Sequence, residues 1–375
     1  MRLLMLNPFY SPYLGGTEKH LVEVCRRLAK KHDVTVLTAR LPNTKEKETI
    51  DGVRVVRSQA WILKQLPKPL PPPIPITPLG MVDLKREAAK ADLVHIHNRF
   101  CYGAAETWMI KSVLEKKLGL TLHNARTIGV DEKTDALGQF YDDFIGKGVM
   151  KEADCIAGVS RATIESTVPK KWWGKCSVIY NGTDVKLFNP RVKPEGIEGE
   201  LGLEKGFVLT NCRLVPQKGV KYLVEAMKGV DAQLVVFGRG PLKDELAKQA
   251  KKTGVNAAFV SQRLTDEQLA RLYSACSVFV LPSAWEPFGM VLTEAMSCGK
   301  PVVGTDAGGI PEVIGDAGIV VPKANPKKLR EAINRVLNNS KLSRRLGREG
   351  RKRVLSNFTW DRTAKAYEKM YGGLR

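Results

Sequence analysis

Two glutamates separated by seven residues mark the part of the chain whose residue types suit chemistry best. Glu286 and Glu294 lie in a segment that follows an apolar run and opens a predicted helix. The first N–H groups of a helix have no acceptor within it, and the helix dipole adds positive potential, so residues 288–290 suit a diphosphate. Each carboxylate can accept two hydroxyl hydrogen bonds, one pair from a sugar and one from a ribose. A plain helix cap is the alternative role for these acids.

Arg213 and Lys218 form a second candidate group, just after a predicted strand over residues 207–212. Paired cations at the carboxyl edge of a strand suit a departing diphosphate, whose charge grows as its bond to a sugar breaks. Taken alone, the pair is equally well interpreted as two solvated surface charges.

Glycine turns follow two other predicted strands. Gly15 and Gly16 lie between a strand over 3–6 and a helix over about 17–31, where glycine lets the backbone approach a ligand closely. Gly238 opens a Gly-x-Gly-Pro turn between a strand and a helix. Both segments are also compatible with ordinary tight turns.

Histidines end two neighbouring strands of the first half. His123 ends the predicted strand 120–123, and His95 and His97 end the strand 93–97. Doubly wound sheets bind ligands at their carboxyl edge, so all three are candidate functional residues. We favour His123 over His97, and His97 over His95; the first place rests on the resemblance of Thr121-x-His123 to a family motif. Strand alternation places His95 and His97 on the same face and does not separate them. The sequence has no Asp-x-Asp motif and no His/Asp cluster at ligand spacing, and it predicts no metal site.

The wider pattern is strand, loop and helix, repeated through both halves of the chain. The predicted strands of the first half cover residues 3–6, 34–38, 53–57, 93–97, 120–123, 155–159 and 178–180. Those of the second half cover residues 207–212, 233–238, 257–261, 278–282 and 301–305. Strands that alternate with helices predict parallel sheets. The expected fold class is α/β, with two doubly wound, Rossmann-like domains that face each other across a ligand-binding cleft.

Domain boundaries follow from composition. Residues 189–202 are rich in Pro, Gly and charge, which is typical of a linker. We expect an N-terminal domain over 1–187 and a C-terminal domain over 188–355. A terminal helix over 356–375 is expected to pack back on the first domain.

Six motifs occur in an order that is known for one enzyme family. They are Gly15-Gly16-x3-His20, Asn181-Gly182-x-Asp184, Arg213-x4-Lys218-Gly219, Glu286-Pro287-Phe288-Gly289-x4-Glu294, Gly308-Gly309-x-Pro311-Glu312 and Phe358-Thr359-Trp360. Together they resemble retaining glycosyltransferase family 4, which has the GT-B fold, over nearly the whole chain. One Gly-rich motif would be weak, whereas six in order are specific.

The resemblance implies transfer of a hexose-type sugar from a nucleoside-diphosphate sugar to a hydroxyl acceptor. The anomeric configuration would be retained, and no metal ion would be needed. It implies no cofactor, and a UDP-sugar is favoured over a GDP-sugar as donor. The C-terminal domain would bind the donor and the N-terminal domain the acceptor. The implied catalytic residues are His123, Arg213, Lys218 and Glu286. The implied donor-binding residues are Gly15, Gly16, Arg213, Lys218, Gly238, Glu286, Phe288, Gly289, Met290, Val291 and Glu294.

The net charge of +21 admits several partners. A solvated basic face is the simplest interpretation, and an anionic membrane surface comes next, because residues 344–353 place six cations on a helical pattern. Nucleic acid is not expected, since no recognition motif accompanies the charge. The Pro-rich loop over 66–75, with Trp61-Ile62-Leu63 before it, is interpreted first as a surface excursion and second as an acceptor or membrane contact. A lipid-linked acceptor, a cell-envelope glycan precursor and a soluble sugar or polyol all fit.

The expected location is the cytoplasm, with peripheral attachment to the cytoplasmic membrane face as an extension. Seven scattered cysteines predict reduced thiols, and the apolar run after Met1 is too short for a signal peptide. Two other functions are compatible with part of this sequence pattern. One is a sugar-nucleotide epimerase or phosphorylase on a similar scaffold, and the other is a non-enzymatic protein that binds polyanions.

Overall fold

The computed structural model describes residues 1–13, 15–63, 74–78, 80–97, 104–124 and 132–374. The chain forms two compact units. Unit 1 comprises Met1–Asn181 and Trp360–Arg375, and unit 2 comprises Gly182–Thr359. Each unit is built on a parallel or nearly parallel sheet with helical connections, which confirms the predicted α/β class with two Rossmann-like halves.

Unit 1 contains an eight-stranded sheet in the order β10-β9-β8-β7-β1-β2-β4-β3, with a separate β5–β6 ribbon. Its strands are β1 (Arg2–Leu6), β2 (Asp33–Ala39), β3 (Lys47–Ile50), β4 (Val53–Ser58), β5 (Trp61–Leu63), β6 (Ile74–Ile76), β7 (Leu93–His97), β8 (Lys117–Leu122), β9 (Cys155–Gly158) and β10 (Cys176–Val178). Its helices before the linker are α1 (Gly16–Leu28), α2 (Gly80–Lys90), α3 (Ala104–Trp108), α4 (Glu132–Tyr141), α5 (Lys147–Glu152) and α6 (Arg161–Thr167). All pairs in the large sheet are parallel except β3–β4. The strand order reverses direction between β1 and β7, where such sheets bind ligands at the carboxyl edge.

Unit 2 contains a six-stranded, wholly parallel sheet in the order β13-β12-β11-β14-β15-β16. Its strands are β11 (Val208–Asn211), β12 (Leu234–Phe237), β13 (Ala257–Val260), β14 (Val278–Leu281), β15 (Val302–Thr305) and β16 (Ile319–Val321). Its helices are α7 (Ile197–Leu201), α8 (Val220–Ala226), α9 (Lys243–Thr253), α10 (Asp266–Ala275), α11 (Met290–Ser297), α12 (Ile310–Ile314), α13 (Pro326–Leu337) and α14 (Ser340–Asn357). Here the reversal lies between β11 and β14.

Local sequence explains where these elements begin and which faces they bury. Strand β14 is apolar throughout and fully buried, as expected for a strand covered on both faces. Helix α10 begins with a capping box, in which Thr265 accepts from the Gln268 backbone and the Gln268 side chain accepts from Thr265 N. Helix α13 has Pro326 in its first turn and buries one apolar stripe.

The last helix, α15 (Trp360–Gly372), belongs to unit 1 and packs against α1. It buries Trp360, Tyr367 and Tyr371. Its surface is tied to α1 by the ion pair between Arg27 Nε and Asp361 Oδ1, at 2.6 Å.

Several element boundaries differ from those predicted. The strand expected at 178–180 is found two residues earlier, as β10, and the strand expected at 120–123 ends at Leu122, so His123 lies in the loop that follows. Strands β3, β5, β6 and β16 were not predicted. Strand β3 begins with the charged pair Lys47-Glu48 and β6 contains Pro75, so neither has the apolar run of a buried strand. Most of the Pro-rich loop over 66–75 lies outside the described residues, although Pro75 pairs with Ile62 in the β5–β6 ribbon.

The basic run of α14 is split between packing and surface. Arg351 donates to the carbonyl oxygens of Phe188 and Ser297, and Arg353 donates to those of Val313 and Glu312. These two cations therefore hold loops of unit 2 in place. The other four are exposed: Arg344, Arg345, Arg348 and Lys352. Across the described ranges, no helix combines the length and apolar content that crossing a membrane requires.

Candidate active site

The predicted site residues Lys218 and Glu286 meet at the carboxyl edge of the unit 2 sheet. Lys218 ends a short 3-10 turn after β11, and Glu286 lies in the loop after β14. Because β11 and β14 are neighbours, Lys218 Nζ lies 2.6 Å from Glu286 Oε2, although the residues are 68 positions apart. Glu286 is only 8% exposed, so this ion pair is partly desolvated and strengthened relative to one in water.

The backbone of Glu286 is fixed by the Gly-Gly turn after β15. Gly309 N donates to Glu286 O at 2.9 Å. Gly308 has a φ of +56°, and a Cβ there would overlap the same carbonyl oxygen. Glycine at 308 is thus required by both backbone conformation and close approach. The motif Gly308-Gly309 positions Glu286 rather than contributing a side chain.

Helix α11 begins beside this ion pair. Its N-cap is Gly289, with a φ of +93°, and its first residue is Met290. Phe288 is buried and packs edge-to-face on Phe358, so its side chain serves packing and only its backbone can face a ligand. Met290 and Val291 are partly exposed. The dipole of α11 places positive potential at this start, next to Lys218.

Glu294, in the second turn of α11, is held by a chain of buried hydrogen bonds. Tyr273 OH donates to Glu294 Oε2 at 2.8 Å, and Asn211 Nδ2 donates to Tyr273 OH at 2.8 Å. Burial first, and the Glu294 charge second, raise the pKa of Tyr273 well above its ordinary value, so it remains a donor. Neither Tyr273 nor Asn211 was predicted from the sequence. Their only sequence signal is a phenol on the apolar face of α10 and an amide at a strand end.

Arg213 and Gly238 complete the predicted set in unit 2. Arg213 is exposed, and within the described parts of the chain it forms no ion pair with a carboxylate. Gly238 follows β12, donates to Val260 O at 2.9 Å, and has a φ of +145°. A Cβ at 238 would overlap the carbonyl oxygen of Cys212, so this glycine lets the loop bearing Arg213 pack closely.

In unit 1, Gly15 and Gly16 form the start of α1, as predicted from the glycine pair. Gly15 is the extended N-cap, and a Cβ there would overlap the Glu18 carboxylate. Burial raises the pKa of Glu18. A side chain at position 15 would therefore displace the Glu18 carboxylate.

The histidines of unit 1 form a cluster that was only partly predicted from the sequence. His97 Nδ1 lies 3.1 Å from His123 Nε2. His95 is directed into the interior, where Nε2 contacts Thr121 Oγ1 at 2.7 Å and Nδ1 contacts Tyr371 OH at 3.0 Å. The structure thus places His97 with His123 and gives His95 a structural role.

A further member of the cluster is His20, which belongs to the first glycine motif and for which the sequence predicted no role. His20 lies on α1, and its ring is 4.7 Å from that of His123, edge-on. Burial lowers the pKa of His20 to about 4, and burial together with neighbouring imidazoles lowers the pKa values of His97 and His123 well below normal. The three rings are therefore neutral at pH 7.

Comparison with known families is consistent with this geometry. Residues 14–187 match the family model described as Glycosyltransferase Family 4. Residues 197–353 match the model described as Glycosyl transferases group 1. The first match covers most of the unit 1 sheet, and the second contains Lys218, Glu286 and Glu294.

Relatives align over nearly the whole chain. Spore coat protein SA of Bacillus subtilis is 30% identical over 385 aligned residues, which cover 95% of this chain and 94% of that protein. Alpha-maltose-1-phosphate synthase of Mycolicibacterium smegmatis is 28% identical, with 99% of each chain covered.

Solved structures show the same fold. Sucrose-phosphate synthase from Thermosynechococcus elongatus superposes with a TM-score of 0.76 at 24% identity, covering 100% of this chain and 99% of that one. Anabaena HepE in complex with UDP and glucose superposes with a TM-score of 0.79 at 19% identity, covering 100% of both chains.

Proposed function

Because the chain belongs to the group 1 glycosyltransferases of GT-B fold, which use nucleotide sugars, we propose that it moves a hexose from a UDP-sugar to a hydroxyl acceptor with retention. The transfer proceeds without a metal ion, since cationic side chains take the place of one at the diphosphate. The observation that carries the proposal is the Lys218–Glu286 ion pair beside the start of α11.

The diphosphate is held by unit 2. Lys218 has three N–H donors, and the bond to Glu286 uses one of them, which leaves others for phosphate oxygens. Arg213 supplies a second, exposed cation, and the positive end of α11 supplies backbone donors around Gly289 and Met290. These groups stabilise the charge that grows on the diphosphate as it departs.

The two glutamates contact different parts of the nucleotide sugar. Glu286 accepts hydroxyl hydrogen bonds from the sugar, and Glu294 accepts those of the ribose. Tyr273 fixes Glu294 through the 2.8 Å bond, so the ribose acceptor is preorganised. In unit 1, His123 contacts the donor sugar as a neutral imidazole, as the family resemblance implies.

The reaction breaks the bond between the anomeric carbon and the diphosphate oxygen and passes through an oxocarbenium-like state. The acceptor hydroxyl forms the new bond on the same face of the sugar. Its proton goes to the departing phosphate oxygen, so the products are the glycoside and a nucleoside diphosphate. Because the new bond forms on the face that the diphosphate leaves, the anomeric configuration is retained without an enzyme nucleophile.

The choice of UDP and of a glucose-type sugar is supported by similar structures. HepE structures contain UDP, UDP with glucose, or UDP-glucose, at 19–20% identity to this chain. A GDP-sugar is the competing donor.

For the acceptor we favour a lipid-linked hydroxyl or a cell-envelope glycan precursor, at the cytoplasmic membrane face. Exposed apolar side chains support this choice: Trp61 is 64% exposed, Phe140 58% and Phe144 73%. WaaG, a glycosyltransferase involved in lipopolysaccharide biosynthesis, has the same fold, with a TM-score of 0.68 at 17% identity. The competing acceptor is a soluble sugar or sugar phosphate, as the name of the alpha-maltose-1-phosphate synthases suggests for those relatives.

The donor is tested by thermal stabilisation with UDP-, GDP- and ADP-sugars, followed by transfer assays on the stabilising compound. A ligand that binds only the folded state raises the melting temperature, and UDP-glucose is expected to give the largest shift. NMR of the product then reports the anomeric configuration, with and without EDTA. Stabilisation by no nucleotide sugar, an inverted product, or turnover abolished by EDTA would each contradict part of the proposal. Sugar release or isomerisation without acceptor would indicate a hydrolase or epimerase instead.

The acceptor is tested separately, with anionic and neutral vesicles. Co-sedimentation with anionic vesicles that weakens in Phe144→Ser supports the membrane-face proposal. A protein that stays in the supernatant and glycosylates soluble sugar phosphates would overturn it.

A further inference from the structure

Three histidines from distant parts of unit 1 converge on one small region. His20 lies on α1, His97 ends β7, and His123 follows β8. One ring nitrogen from each lies within 4.8 Å of the others, and the pair formed by His97 Nδ1 and His123 Nε2 is 3.1 Å apart. His20 and His97 are fully buried, and His123 is partly exposed.

Hydrogen bonds fix the tautomer of His20, and they leave one ring nitrogen of His97 without a partner among the described residues. Asn181 Oδ1 accepts from His20 Nδ1 at 2.7 Å, which places the lone pair of His20 on Nε2. That lone pair faces Tyr367 OH at 3.1 Å, a weaker contact of a hydroxyl that also bonds Thr121. His97 Nε2 is buried and has no hydrogen-bond partner among the described residues. Such an orphaned nitrogen is unusual in a folded protein.

We propose that His20, His97 and His123 form a binding site for Zn²⁺ or a similar late transition-metal ion. Neutral imidazole is a preferred ligand of these ions, and three histidines with one open position are a common coordination set for zinc. The group contains no carboxylate, which makes Mg²⁺ and Ca²⁺ poor occupants.

The spacing is close to what such an ion needs. Ligand nitrogens of tetrahedral zinc are about 3.3 Å apart, from Zn–N bonds of about 2.05 Å. The His97–His123 pair already meets this spacing, and the third ring closes by at most about 1.5 Å. Asn181 fits the role of an outer partner, because it holds the N–H of His20 and so orients the other nitrogen.

The site is distinct from the proposed diphosphate site, which lies in unit 2. An ion on His123 would compete with the sugar contact proposed for that residue. This consequence rests on the proposed function, whereas the metal site itself does not.

The test uses the full chain without a histidine tag, stripped with chelator and dialysed. Titration with Co²⁺ is followed by visible absorption, and Zn²⁺ is then added as a competitor. We expect one Co²⁺ per chain with the intense d–d bands of a four-coordinate, nitrogen-ligated ion, which Zn²⁺ displaces and Mg²⁺ does not. His97→Asn and His123→Asn are expected to lower the affinity at least tenfold, and Asn181→Ala by about tenfold.

His32→Asn is the matched control, since His32 is the one histidine of the chain apart from these three and His95, and it is expected to leave the affinity unchanged. Circular dichroism verifies that each variant is folded, and the wild-type cobalt spectrum does not depend on any variant. Absence of a 1:1 cobalt spectrum, a thiolate charge-transfer band, or unchanged affinity in folded His97→Asn and His123→Asn would each overturn the proposal. None of these measurements involves donor or turnover, so failure here leaves the proposed function untouched.

Discussion

The polar clusters of the two units occupy corresponding places in their sheets and differ in charge. In unit 2, Lys218 and Glu286 follow neighbouring strands and form an ion pair. In unit 1, His97 and His123 also lie at the ends of neighbouring strands, but burial keeps their rings neutral. The parallel sheet fixes where both clusters form, at its carboxyl edge. Residue chemistry then decides the ligand, because charges suit a diphosphate and uncharged lone pairs suit hydroxyls or a soft metal ion.

The largest effect is expected when either charged residue of the unit 2 ion pair is replaced. Lys218→Ala and Glu286→Ala are each expected to lower kcat by about 100- to 1000-fold, the usual cost of losing one preorganised transition-state contact. Steady-state transfer assays with the identified donor measure the change. Lys221→Ala removes a nearby exposed cation of α8 and is the matched control, with activity near wild type. Wild-type turnover in both site variants would refute the assignment of the diphosphate site to unit 2.

The second prediction concerns a substitution that shifts the backbone of Glu286 and leaves its side chain unchanged. Gly308→Ala introduces a Cβ that overlaps the Glu286 carbonyl at positive φ, and activity is expected to fall about 10- to 100-fold, equivalent to about 1.4–2.8 kcal/mol. Gly229→Ala is the control, because Gly229 also has positive φ but nothing lies near its added Cβ. If both alanines reduce activity equally, backbone strain alone is responsible, and the positioning role of Gly308 is wrong.

The third prediction distinguishes the role of Glu294 from that of Glu286. Tyr273→Phe removes the donor to Glu294 and leaves Asn211 without its acceptor, so unit 2 loses about 1–3 kcal/mol of stability. We expect a KM for the donor raised about three- to tenfold with a smaller change in kcat, since the ribose contact is made in both ground and transition states. Tyr222→Phe, in a partly buried position of the same unit, serves as the comparison. A kcat effect as large as that of Glu286→Ala would show that Tyr273 acts on the chemistry itself.

The smallest effect probes the neutral cluster of unit 1. Thr121→Val keeps the side-chain volume but removes the hydroxyl between His95 Nε2 and Tyr367 OH. The free energy of unfolding is expected to fall by about 1–3 kcal/mol, because the buried His95 Nε2 and Tyr367 OH both lose a hydrogen-bond partner. Denaturant titration measures it, with Thr49→Val on exposed β3 as the control. Affinity of the nucleoside diphosphate for unit 2 should not change; a change would show that the two clusters are coupled.

Much of the fold and part of the site could be predicted from local sequence. The apolar run of β14, the acid Glu286 and the glycine before α11 lie within a dozen residues of one another, so periodicity and helix-start chemistry identify them. The same holds for Gly15 and Gly16 before α1. Strand β6 was missed because Pro75 lies within it and a Pro-rich segment precedes it, a composition that is typical of a loop.

The partners of the site residues could not be predicted in this way. His20 and Asn181 are 161 positions apart, and Tyr273 has the sequence pattern of an ordinary apolar position on α10. A hydrogen bond depends on atoms placed within a few tenths of an ångström, and strand order and helix packing determine that placement.

The sequence alone determined the α/β class, the two halves, the family resemblance and the charged residues suited to a diphosphate, because these depend on residue type and near-neighbour spacing. Only the tertiary structure decided that Lys218 pairs with Glu286, that Tyr273 holds Glu294, and that His20 joins His97 and His123. The physical reason is that sheet order brings together strand ends that are far apart along the chain. Burial, together with the presence or absence of an opposite charge, then sets whether the groups that meet there are charged or neutral.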